Sequence, residues 1–188
     1  ISYMITLLCA KQGRSWKIVW MDATDYKYNG EDAAAIYSKV YACNEEGKTL
    51  AAYVHSLRMN LVSRPGNALV YKDFDTYQDL YYQMGSEFQK LFPMPYTPEG
   101  MADTVKVHTV ALANENDQII PLIILQTDIA LSDSDALKAQ AEQVIDAMES
   151  VSAGFKAEFS QVAFNVLNDD PTTAQNPEVE NFVISTQK

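Results

Sequence analysis

The side chains best suited to chemistry are two imidazoles, His55 and His108, and two thiols, Cys9 and Cys43. A zinc centre built from them needs all four to converge, because no CxxC or HExxH spacing holds a ligand pair in place locally. A nucleophilic pair such as Cys43 with His55 needs a similar long-range meeting. Carboxylates cluster twice, as Asp22, Asp25, Glu31 and Asp32 and again as Asp128, Asp133 and Asp135. Such oxygens suit Ca²⁺ or Mg²⁺, yet EF-hand spacing is missing and each cluster precedes a helix-like run. Capping and compensation of the helix dipole account for them more simply. The glycines form no GxGxxG, P-loop or GxSxG pattern. The sequence therefore points to no catalytic residue, no cofactor and no metal ligand set.

Tyrosine is the compositional excess, with 11 residues. Tyr26, Tyr28 and Tyr96 fall in connecting segments, and Tyr82 points away from the apolar stripe of its helix-like run. Large, fairly rigid amphipathic rings at such positions suit protein–protein contacts. These four are the candidate interface residues.

The elements that must position these groups follow from periodicity. Ser2–Ala10 and Trp16–Met21 read as two strands joined by the Lys11–Ser15 turn, in which Gly13 is free to take positive φ. Glu31–Asn44 reads as a helix ended by Gly47. Lys48–Ser63 alternates as a long strand, and Arg64-Pro65-Gly66-Asn67 as a turn. From Asp75 to Phe92, apolar residues recur at three and four, predicting the best-defined helix, with Pro93 as its stop. Thr104–Ala113 and Ile119–Leu131 predict two more strands, Pro121 requiring an edge or a bulge. Ser134–Ser150 predicts a helix capped by Ser132 or Asp133. Phe155, Ala157 and Phe159 alternate as a strand whose phase shifts near Gln161. Asn168–Asn181 reads as a polar loop and Phe182–Ser185 as a closing strand. His55 and His108 both fall in strand-like runs, Cys9 in an apolar strand and Cys43 near a helix end. Two buried free thiols are expected, or one disulfide in a secreted protein.

Shifting the chain by 103 residues lays Lys11 on Asn114, Thr24-Asp25 on Thr127-Asp128 and Asp32-Ala33 on Asp135-Ala136. Strand, strand, helix, strand then occurs twice. The expected fold is α+β, with antiparallel sheets and flanking helices, built either on a duplicated ββαβ unit or on two unrelated halves. The expected division is a first half with the long helix (1–92), a proline-rich joint (93–103) and a second half with its polar loop (104–188).

With 188 residues, 47% apolar and 21% charged, the chain has ordinary globular composition. A net charge of −11 argues against binding nucleic acid or anionic lipid. The clustered Lys11, Arg14 and Lys17 read as solvated turn charges. The longest apolar run, Ile119–Leu125, is far short of the roughly 20 residues a spanning helix needs. The chain starts at Ile1, which leaves a removed leader or a longer precursor open and the compartment unassigned. Three functions fit. The first is a non-catalytic subunit of a larger protein assembly, such as a virion, tail, pilus or secretion complex, whose partners are protein subunits of the same or another kind. The second is a small-molecule or metal-binding domain or enzyme with a pocket between the halves, lined by Trp16, Trp20 and Tyr53. The third is an acidic immunity or inhibitor protein directed at a basic partner.

Overall fold

The computed structural model describes residues 1–63 and 72–187; the Arg64–Asn67 turn lies outside the described residues. The chain begins with a hairpin, β1 (Ser2–Gln12) and β2 (Ser15–Lys27), followed by three helices, α1 (Ala33–Glu45), α2 (Thr49–Val62) and α3 (Phe74–Leu91). Then come β3 (Lys106–Glu115), β4 (Gln118–Gln126), α4 (Ser134–Val151), the single turn α5 (Phe155–Glu158), β5 (Gln161–Leu167) and β6 (Glu180–Ser185). One sheet has two strands, β1-β2, and the other four, in the order β3-β4-β5-β6. This is an α+β fold, as the patterning predicts. Among the described residues no helix is long and apolar enough to cross a membrane.

Local chemistry explains most boundaries. Asp32 caps α1 by accepting from Ala35 N at 3.1 Å, and Asp133 caps α4 by accepting from Ala136 N at 3.1 Å. Both acids thus do the capping that their sequence position suggests. The β3–β4 turn uses Asn116 and Asp117, both at positive φ, as a tight hairpin requires. Pro121 sits on β4, which is not an outer strand, but β5 pairs with β4 only from Leu122 onward. On that side the position is locally an edge, so its missing donor costs no ladder bond.

Two predicted strands are helices. Lys48–Ser63 forms α2, with Leu50, Ala51, Val54, His55, Arg58, Met59 and Val62 buried at helical spacing. Two of those seven are polar, which obscured the 3.6-residue period. Phe155–Glu158 forms α5 because Gly154 turns the chain at φ 97° and the Glu149 carboxylate accepts from Gly154 N (2.8 Å) and Lys156 N (3.1 Å). The phase shift near Gln161 is therefore a helix-to-strand boundary. The larger sheet is also mixed: β4 and β5 run parallel, with α4 in the crossover between them. The second half keeps the order strand, strand, helix, strand. The first half has a helix at its fourth element, so the correspondence between the halves stops after strand, strand, helix.

One buried cluster joins the elements. Ile36 and Val40 of α1, Leu50 and Met59 of α2, Met84 and Phe88 of α3, Ile123 and Leu125 of β4, Val144 and Met148 of α4, and Phe164 of β5 all belong to it. Specific polar links reinforce it. Asn29 bonds both backbone groups of Ile119, donating to its O (3.3 Å) and accepting from its N (3.2 Å). Helix α2 has no cap of its own, and the Ser152 hydroxyl at the end of α4 accepts from Leu50 N at 2.9 Å.

Candidate functional site

Two features stand out from the core: a polar cluster where α1, α2 and α5 meet, with Cys43 and His55 buried and Glu158 partly exposed, and the surface of the β1–β2 hairpin. In the cluster, one ligand atom each of Cys43, His55 and Glu158 lie within 4.8 Å of one another. Sequence reasoning demanded a long-range meeting of Cys43 and His55, and the fold supplies it; Glu158 was not anticipated. Cys9 and His108 lie elsewhere, Cys9 exposed on β1 and His108 on β3 against Gln126 Oε1 at 2.9 Å. Neither thiol is in a disulfide, and only Cys43 is buried, so the expectation of two buried thiols fails for Cys9.

The protons of the cluster can be assigned. Arg58 Nη1 lies 3.2 Å from His55 Nδ1. A guanidinium only donates, so Nδ1 accepts and the neutral ring carries its proton on Nε2, 3.5 Å from Glu158 Oε2. Burial first, and then the Arg58 charge, lower the His55 pKa to about 4 against the opposing pull of Glu158. Burial, helped by the Glu158 charge, pushes the Cys43 thiol up to about 11. Arg58 is anchored at its far end by Glu31 Oε2 at 3.1 Å, and Glu31 also meets Lys39 at 2.6 Å.

Cys43, His55 and Glu158 are the residues that could hold a soft divalent cation such as Zn²⁺. The Arg58 contact works against it. A metal-bound imidazole normally donates its second N–H outward, whereas here the second nitrogen receives one. Coordination through Nε2 would demand an imidazolate or the withdrawal of Arg58. Nucleophilic catalysis is disfavoured too, since a buried neutral thiol is a poor attacker. The cluster is best described as a neutral, proton-bearing junction held between charged residues.

The hairpin is different in kind. Along β1, residues 3, 5, 7, 9 and 11 share one face, opposite Asp25, Ala23, Met21, Ile18 and Trp16 of β2. A bulge between Leu8 and Cys9, with Val19 as the extra residue, keeps Ile18 and Trp16 on that face. Tyr3, Ile5, Leu7, Trp16, Ile18 and Met21 are each between 49% and 69% exposed. Every residue from 7 to 19 is exposed. Summed over these six side chains, the apolar face presents on the order of 850 Å², more than monomers usually leave open as one patch. The two strands were legible in sequence, but strict alternation puts Trp20 with Trp16 and Ile18, whereas the bulge puts Met21 there instead. The exposure of the face was not legible, since an apolar strand face normally implies a covering layer.

The four tyrosines are placed as follows. Tyr26 lies next to the last residue of β2, half-buried, with Lys27 Nζ 5.6 Å from its ring centroid. Tyr28 is buried in the core cluster and pairs with Glu31 through the backbone. Tyr82 is exposed on α3, its ring 5.4 Å from Tyr81. Tyr96 packs edge-on against Phe92 and bridges to Val107 of β3. Of the aromatics expected to line a cleft, Trp16 stands exposed near the hairpin tip and Tyr53 stacks on Phe88 at 4.0 Å. A shallow groove of about 560 Å³ does run between α2 and β3, lined by Tyr53, Leu57, Leu61 and Leu112 among others. No protein-family model, curated protein or solved structure matches this chain.

Proposed function

We propose that this chain is a non-catalytic assembly subunit that joins neighbouring protein through its β1–β2 hairpin. The observation carrying this reading is the exposed apolar face of Tyr3, Ile5, Leu7, Trp16, Ile18 and Met21 on a two-stranded ribbon. Contiguous apolar patches of this size mark association surfaces, and isolated two-stranded ribbons are marginal in water without a partner layer. The buried cluster supports the non-catalytic part, because its thiol and imidazole are both held neutral and shielded.

The test is native mass spectrometry of the chain in complexes from its source, wild type against an Ile5→Asp/Ile18→Asp variant. The expected result is a wild-type chain found with other subunits and a variant that folds, by circular dichroism, but travels free. A wild-type chain that runs alone, unchanged by the double substitution, refutes the reading.

A further inference from the structure

We infer that the partner of the hairpin is a second copy of this chain, the two ribbons packing face to face and antiparallel about a two-fold axis at the Leu7–Met21 rung. The inference rests on the assembly reading above and names its partner.

The first argument is self-complementarity. The exposed face has five rungs, Tyr3–Asp25, Ile5–Ala23, Leu7–Met21, Cys9–Ile18 and Lys11–Trp16. A two-fold axis through the middle rung lays Leu7 and Met21 on their own copies. It sets the Cys9–Ile18 rung on Ile5–Ala23, and the Lys11–Trp16 rung on Tyr3–Asp25, with Lys11 over Tyr3 and Trp16 over the Asp25 position. Each off-axis contact occurs twice, as a closed isologous interface requires. The second argument is area. About 850 Å² of exposed surface on these six residues is the most that the face can bury per copy, in the range of the roughly 800 Å² per partner of a standard stable interface.

The third argument is charge. Residues 1–27 carry Lys11, Arg14, Lys17 and Lys27 against Asp22 and Asp25, so the hairpin is +2 and the remaining chain −13 of the total −11. Three of the bases sit at or beside the tip. The ribbon base carries Asp22 and Asp25 in sequence and adjoins Asp32, 3.9 Å from Lys27, and Glu31, which already meets Lys39 and Arg58. Antiparallel packing brings each cationic tip to the acidic base of the other copy. It also holds the two acidic bodies at opposite ends of a ribbon about 37 Å long, well beyond the screening length of ~8 Å at physiological salt. Parallel packing would place the bodies side by side. An anionic surface of another kind would satisfy the tip but would be repelled by the rest of the chain.

Sedimentation equilibrium on the full chain tests this. The expected result is a dimer at about 10 μM. Leu7→Asp, which sets two carboxylates on the axis, should raise the dissociation constant about 100-fold or more. A Lys11→Glu/Arg14→Glu/Lys17→Glu variant should weaken the dimer about tenfold at ~0.05 M salt and much less at ~0.5 M. In a Cys9→Ser background, Leu7→Cys should cross-link to itself with a short bis-maleimide, whereas native Cys9, one rung off the axis, should not. A wild-type monomer at every concentration, or efficient cross-linking through native Cys9, overturns the two-fold pairing. If a Leu7→Asp-sensitive complex with a different protein, or with phosphatidylserine vesicles, is found instead, this inference fails. The different protein would leave the assembly reading standing; the vesicles would overturn that as well.

Discussion

His55 gives the sharpest prediction. Its ring is buried, with Phe159 at a centroid distance of 4.8 Å, and is neutral in the folded state until about pH 4. In the unfolded chain the same group takes its proton near 6.5. Between those values the unfolded state binds the extra proton, so stability must fall as pH falls. The window runs from about 6.5 down to about 4, and the slope approaches 1.36 kcal/mol per pH unit in its middle. Across the whole window the loss is about 3 kcal/mol, a large fraction of an ordinary domain's stability. Glu31 does not blur the upper part. Burial raises its pKa, but Lys39 and Arg58 together hold it below the ordinary 4.5. Its contribution is complete above that value and is lost only as pH falls below it.

The assay is urea unfolding at pH 7.0, 6.0, 5.0 and 4.5 for wild type and His55→Asn. Asparagine keeps an acceptor for Arg58 while removing the titration. The variant should be less stable at pH 7 through lost ring packing, so the slope is the readout and not the level. As pH falls the chain, with 25 acids against 14 bases, also loses some self-repulsion. That effect is common to both proteins and cancels in their difference. The gap between wild type and variant should narrow, or change sign, by about 2 kcal/mol from pH 7.0 to 4.5. Equal slopes would refute the assignment of a neutral, Arg58-bonded imidazole. Arg58→Met offers a check on cause: with the guanidinium gone, the His55 pKa should move back toward 6.5 and the slope shrink.

Three further outcomes follow from geometry. Ser152→Ala removes the acceptor for Leu50 N and leaves the start of α2 without a cap, at a cost of about 1–2 kcal/mol by thermal or urea unfolding. Gly154→Ala should cost about 1–2 kcal/mol, because φ is 97° and the new Cβ would sit 2.7 Å from Lys48 Cδ, whose side chain must then move away from Glu158. Iodoacetamide at pH 8, used on the Leu7→Asp chain so that Cys9 is uncovered whether or not the wild type pairs, should modify Cys9 alone, since Cys43 is buried and its thiol is pushed up to about 11. Mass spectrometry showing two adducts on the folded chain would contradict that.

The sequence revealed the hairpin, α1, α3, β3, β4, α4 and the closing strand because each is a periodic or apolar run set off by turn or cap residues, although the run predicted to Leu131 ends as a strand at Gln126. It misled where chemistry and periodicity compete for one position. Helix α2 places His55 and Arg58 on its buried face, so its stripe reads as broken and its remaining residues pass for an alternating strand. The residues that build the polar junction are thus the residues that hid the element carrying them. Phe155 and Phe159 share a face in either a strand or a helical turn, and what decides between them is Gly154 with the Glu149 carboxylate, which lies six residues before the first ring and ten before the second. Glu158 entered the cluster unannounced because its role depends on α5 meeting α2, a contact no local pattern encodes.

The same limit applies to the hairpin, with the opposite sign. Alternation says which residues share a face but not whether that face is covered. Here the core is complete without the distal ribbon: residues 7–19 are all exposed, and none of them belongs to the buried cluster. A ribbon of two strands has too few cross-strand neighbours to hold itself firmly in water. On the proposed assembly reading, forming the ribbon and covering its apolar face would be coupled steps. That coupling would separate the two parts of the molecule physically. The body packs around its own buried cluster, while on the proposed assembly reading the hairpin would gain its order from association.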